Sequence, residues 1–237
     1  MFVGQAVVDH CFEVDAFSSR GGKQVALGFR SEAGGLATNA ARAAQRLRAA
    51  DGPTVALCAA VGDDPAGHGL VEQLRADGLD VAALRQVAGA RTSVSAVLVD
   101  PAGERQIHNF RGNAHQAARV PDARELMGSI GVLADPRWPA AAQAALRWAR
   151  EHAVVSVLDA EVAAPEVLRT LVPLADWVVF STDGLAAWAG EGAAAEPQLP
   201  LRTMAAQGPA ASIDRHPGRS GPDLVPARWQ RAAVARL

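Results

Sequence analysis

The stretch EAGGLATNAARAAQRL, residues 32–47, decides how this chain is read. Two adjacent glycines lead into an Ala- and Arg-rich run with helical character, and an asparagine sits one turn inside it. Glycine has no Cβ, so at Gly34 and Gly35 the backbone can approach another group closely. The helix that follows starts with unsatisfied N–H groups and a positive dipole end. Asn39 offers donors and an acceptor from the first turn. Together these suit an array of polyol or sugar hydroxyls, or a phosphate. Alone, Gly-Gly before a helix is more often just a tight turn.

Outward from this point, short apolar runs alternate with Ala-rich helical stretches. Strands are expected at 2–8 (ending at Asp9), 54–61, 129–135, 153–159 and 176–181. Helices are expected at 36–48, 66–77, 139–152 and 165–172. The runs 93–100 and 105–110 flank the turn PAGE and read as an antiparallel hairpin. Nearly continuous apolar strands separated by helices predict an α/β, doubly wound, mostly parallel sheet covered on both faces. Ligands in such folds bind beyond the carboxyl ends of the strands. Asp9, Asp135, Asp159 and Ser181 fall at those ends, where each could also cap a helix. Asp63 or Asp64 caps the helix in VGDDPAGHGLVEQLRADGLDV (61–81). Arg105, Asn109 and Arg111 share one face by period 2, which is either solvated or anion-binding.

Composition excludes several classes. The chain has 237 residues, a net charge of −2 and 49% hydrophobic residues, with no electrostatic reason to bind nucleic acid or an anionic membrane. No apolar run approaches the ~20 residues that span a bilayer, and MFVGQAVVDH lacks the basic start of a signal peptide. Cys11 and Cys58 lie in apolar runs and read as reduced thiols of a cytoplasmic protein. The histidines have no metal-ligand spacing. There is no nucleophile elbow, and no G-x-G-x-x-G follows the first strand. After about residue 190 the chain turns Pro-, Gly- and Arg-rich, with no clear apolar strand.

GQAVVD, GGLATNAA, VGDDPAG and TSVSAVLVDPAGERQI, in that order, resemble the N-terminal signatures of the PfkB (ribokinase-like) carbohydrate kinases. VLADPRW, VLDAEV and DWVVFSTDGLAAWAG continue the resemblance to about residue 211. It implies a kinase domain over 1–211 and a small β-sheet lid from residues 10–31 and 93–111. It also implies transfer of the γ-phosphate of ATP, with Mg2+, to a hydroxyl of a small sugar or acidic sugar derivative. By position, Asp9 and Asn39 would hydrogen-bond sugar hydroxyls, and Gly34 and Gly35 would let the backbone reach the sugar. DPRW, LDAE and FSTDGL are most similar to the sulfofructose kinase branch, in which Lys23, Asn109 and Arg137 match residues that hold a sulfonate. Lys23 is the only lysine of the chain. FSTDGL departs from that branch by lacking its glutamate.

The family takes its catalytic base and anion hole from a C-terminal D-T-x-G-A-G-D motif, which residues 1–237 do not contain. No catalytic residue is therefore assigned. Arg215–Gly218, re-read one nucleotide out of frame, is compatible with the family's Val-Thr-Leu strand. The expectation is a frame disruption near 205–214, a divergent tail over 212–237, and a chain that is poorly soluble and inactive as a kinase. The competing expectation is a non-catalytic sugar-binding module, or a homodimer formed through the lid.

Overall fold

The computed structural model describes residues 1–18, 21–190, 192–195, 198, 201, 210–214 and 223–224. They divide into two compact units, Met1–Met127 and Gly128–Leu237.

In the first unit β1 (Phe2–Val3), β2 (Val7–Glu13) and β3 (Gly28–Gly34) precede α1 (Leu36–Leu47). Then come β4 (Leu57–Cys58), β5 (Ala60–Gly62), α2 (Pro65–Ala76), β6 (Arg85–Val87), β7 (Ser93–Val99), β8 (Arg105–Phe110), α3 (Ala114–Ala117) and α4 (Ala123–Leu126). The core gathers Leu57, Ala59, Val61, Leu70 and Leu74 with Ala37 and Ala41 of α1. Burying each leucine contributes roughly 1.5–3 kcal/mol relative to exposure.

The expected strand 2–8 is in fact broken at Gly4–Ala6. β1 pairs in parallel with β4, whereas β2 pairs antiparallel with β3 and parallel with β7. Asp9 therefore lies inside β2, in a different sheet from β1. The start of α1 causes the break by occupying it. Thr38 Oγ1 donates to the Gln5 carbonyl at 2.9 Å, which satisfies a group that a continuous ladder would have used. The expected strand 54–61 is split in the same way. β4 stays beside β1, while β5 pairs with β6.

The small sheet has the order β3-β2-β7-β8. The expected hairpin is its β7–β8 edge, with Val99 opposite Arg105. Asp100 Oδ1 closes the turn by accepting from the backbone N–H of Ala102 and Glu104, each at 2.9 Å. Of the two candidate caps of α2, Asp64 is the one used. It accepts from Gly67 N at 2.9 Å, Thr92 N at 3.0 Å and Thr92 Oγ1 at 2.6 Å, and so also fixes the entry to β7.

The second unit runs β9 (Gly131–Ala134), α5 (Pro139–Glu151), β10 (Val155–Ala160), α6 (Pro165–Leu171), β11 (Trp177–Ser181), α7 (Thr182–Ala189), α8 (Gly192–Ala195), β12 (Ala210–Asp214) and β13 (Asp223–Leu224). β9 to β12 pair in parallel in chain order, and β13 pairs antiparallel with β12. Helix α5 buries Ala141, Ala142, Ala145, Leu146, Trp148 and Ala149. The sequence after residue 190 shows no clear apolar strand, yet Ala210–Asp214 is one and pairs in parallel with β11. Of the proposed frame-disruption segment 205–214 and the tail 212–237, everything except residues 210–214 and 223–224 lies outside the described residues. The fold is mixed α/β, with a mostly parallel sheet and a separate small mixed sheet.

Candidate functional site

The small sheet aligns four polar residues across its strands. Glu32 of β3 stands opposite Asp9 of β2, Asp9 opposite Ser95 of β7, and Ser95 opposite Asn109 of β8. Residues in register across neighbouring strands share a face, so the four form one row. Asn109 Nδ2 donates to Ser95 Oγ at 3.0 Å and to the Val94 carbonyl at 3.4 Å. At the β3 end, Arg30 Nε meets Glu32 Oε1 at 2.9 Å, and Arg30 Nη1 meets Glu13 Oε1 at 3.0 Å.

Asp9 is the centre of this row. Burial pushes its carboxyl above the ordinary range; the Ser95 hydroxyl, hydrogen-bonded to the carboxylate, opposes the rise, and the charge of Glu32 adds to it. The Asp9 carboxylate lies against the α-carbon of Gly34, where a Cβ would come within 1.9 Å of Oδ2. Gly35 serves a different need. Its φ of 103° and ψ of 148° belong to a region populated almost only by glycine, and a Cβ there would fall 2.3 Å from the Gln5 carbonyl oxygen. The two glycines at the head of α1 thus have separate duties. One leaves room for the carboxylate, and the other seats the helix on the strand break.

Asn39 lies in the first turn of α1, with its backbone N–H on the Gly35 carbonyl at 2.8 Å and its side chain exposed. Lys23 is exposed on the connection between β2 and β3. Arg137 belongs to the second unit, just past β9, where its backbone N–H donates to the buried Asp135 at 2.8 Å. Within the first unit, then, Asp9, Gly34, Gly35 and Asn39 meet at the junction of β2, β3 and α1, Asn109 joins Asp9 through Ser95, and Lys23 is on the loop.

The other strand-end candidates divide. Ser181 Oγ caps α7 by accepting from Gly184 N at 3.0 Å, and it donates to Glu161 Oε1 at 2.9 Å. Asp159 falls within β10, one residue before its end. Arg105, Asn109 and Arg111 are all exposed. Sequence reasoning did not single out Ser95 or Glu32. Ser95 sits between the apolar Val94 and Ala96, as a residue on one face of a strand does, but placing it and Glu32 beside Asp9 needed the register of the strands.

A second charged cluster holds α4. Arg85 Nη2 donates to both carboxylate oxygens of Glu125, at 2.9 and 2.7 Å, and Arg119 meets the same carboxylate bidentately through Nη1 and Nη2, at 2.8 and 2.9 Å. Burial alone would raise the Glu125 carboxyl. The hydrogen bonds from Arg119, the Asp122 backbone and Arg85 outweigh it and bring the carboxyl down to about 2. Burial also pushes the neighbouring Cys58 thiol up to about 11, which disfavours the reactive thiolate. Among the described residues no group of three or more His, Cys, Asp or Glu could hold a metal ion, and no helix is long and apolar enough to cross a membrane.

A model of the pfkB family of carbohydrate kinases matches residues 1–208. Among solved structures, a presumed ribokinase from Agrobacterium tumefaciens is 30% identical, with a TM-score of 0.83 over 91% of this chain and 69% of its own. The fructokinase of Halothermothrix orenii is 19% identical, with a TM-score of 0.72 over 98% of this chain and 87% of its own. The Arabidopsis thaliana ribokinase, complexed with ribose and ATP, is 17% identical, with a TM-score of 0.68 over 90% and 70%. The last two likenesses are of fold alone.

Proposed function

This chain belongs to the pfkB family of carbohydrate kinases, and on that premise we propose that its first unit binds the sugar of a kinase that phosphorylates a hydroxyl of a small sugar or acidic sugar derivative. The observation that carries this reading is the Asp9 carboxylate, held against Gly34 beside the start of α1. A half-buried carboxylate accepts hydrogen bonds from two adjacent hydroxyls, and Asn39 reaches from the first helical turn toward a third. Asn109 and Lys23 are the proposed contacts for the far end of the substrate.

ATP and Mg2+ are the cofactors of the family, and ATP supplies the phosphoryl group. Residues 1–237 lack the D-T-x-G-A-G-D stretch that would hold the transferring phosphoryl and supply the base. Among the described residues no group of three or more His, Cys, Asp or Glu could hold the metal. Residues 1–237 by themselves are proposed to bind sugar without turning over ATP.

A lid-mediated homodimer is a second reading, favoured by one face of the small sheet. Phe29 and Phe110 are exposed there, in rows with Phe12 and Leu98 and with Val8 and Val94. Titration calorimetry with a panel of pentoses and hexoses tests the main reading. Binding that Asp9→Ala abolishes is the expected result, and binding indifferent to Asp9→Ala would refute it.

A further inference from the structure

The hydrogen-bond directions along the lid row are fixed by chemistry. An ionised Asp9 only accepts, so the one Ser95 proton goes to it. Ser95 Oγ can then only accept from its other neighbour. The group it meets on Asn109 must be the amide nitrogen, which agrees with the 3.0 Å contact and removes the usual ambiguity of an asparagine flip. The second amide hydrogen points at the Val94 carbonyl, 3.4 Å away. Both donors of Asn109 are therefore used inside the sheet, and its exposed remainder is the carbonyl oxygen.

We infer that Ser95 is a positioning residue that turns the Asn109 amide so that Oδ1 faces the ligand, making Glu32, Asp9 and Asn109 a row of acceptors that selects a hydroxyl-bearing, uncharged ligand end over an anionic one. Ser95 is 5% exposed and acts only through its two neighbours. A sulfonate or carboxylate brought to this row would find acceptors where it needs donors, with Glu32 already engaged by Arg30. The preference narrows the role proposed above for Asn109, and it rests on the sugar-site reading of the lid row.

The test uses the full chain, with Ser95→Ala and the hydroxyl-retaining Ser95→Thr. The first measurement is NMR exchange of the Asn109 side-chain amide protons without ligand. The second is calorimetry with D-fructose and 6-deoxy-6-sulfo-D-fructose. Losing one hydrogen bond speeds exchange by about tenfold in Ser95→Ala, and Ser95→Thr restores the slow rate. Fructose binds the unmodified chain about tenfold or more tightly than the sulfonated sugar, and Ser95→Ala narrows that ratio. Amide exchange indifferent to Ser95→Ala, or tighter binding of the sulfonated sugar to the unmodified chain, would overturn the inference. If neither sugar binds, the sugar-site reading fails together with the preference, while the exchange rates still decide what Ser95 does to Asn109.

Discussion

At the scale of single residues, Gly34 and Gly35 carry the most testable consequences. Gly34→Ala puts a Cβ into the space of the Asp9 carboxylate. The carboxylate can swing away, so the fold survives at a cost of about 1–3 kcal/mol. Sugar affinity falls by about tenfold or more in calorimetry. Gly35→Ala meets backbone rather than a side-chain tip and also strains φ. It costs roughly 1–3 kcal/mol from the backbone conformation alone and lowers the urea midpoint more than Gly34→Ala does. Asp9 adds a pH dependence. In the proposed site it would hold sugar as a carboxylate, and burial raises its pKa. Affinity therefore drops as pH falls, and the drop begins above the ordinary aspartate range; a titration at several pH values checks this. The importance of both glycines was legible in the sequence. Their separate duties were not, because each depends on a partner, Asp9 or Gln5, that is distant along the chain.

At the scale of elements, Asp64 joins α2 to β7, and Glu125 holds α4 to β6. Asp64→Ala removes a helix cap and leaves the Gly67 and Thr92 N–H groups without their acceptor. A loss of roughly 2–3 kcal/mol in urea unfolding is expected. Glu125 has a folded pKa near 2, below its ordinary value of 4.5. Its contribution to stability is full above pH 4.5 and is lost as pH falls toward 2. The contribution is at most about 3 kcal/mol, reduced by solvent on the Arg119 side. Glu125→Gln should flatten that part of the stability–pH curve. The four expected helices were placed to within a residue at each end, whereas the short α3, α4, α7 and α8 were not expected. Helix α1 was expected at 36–48 and spans Leu36–Leu47, and α5 was expected at 139–152 and spans Pro139–Glu151. The broken strands at 2–8 and 54–61 were not legible. An apolar run has the same period whether it stays in one sheet or leaves it, and the Thr38–Gln5 bond that sets the break is a tertiary contact.

At the scale of the whole molecule, alternating apolar strands and helices were enough to predict an α/β chain, whereas the small separate sheet was implied by the family resemblance. The row Glu32–Asp9–Ser95–Asn109 joins residues up to 100 positions apart, counting from Asp9 to Asn109, and no spacing rule foretells it. In the proposed function, the first unit holds a sugar site built around Asp9. Its most direct test is titration of D-fructose and D-ribose into residues 1–237 and into Asp9→Asn, which keeps the side chain's size but removes its charge. At least one of these sugars is expected to bind the unmodified chain, and Asp9→Asn to weaken that binding by about tenfold or more. Binding of neither sugar, or equal binding to both chains, would contradict it.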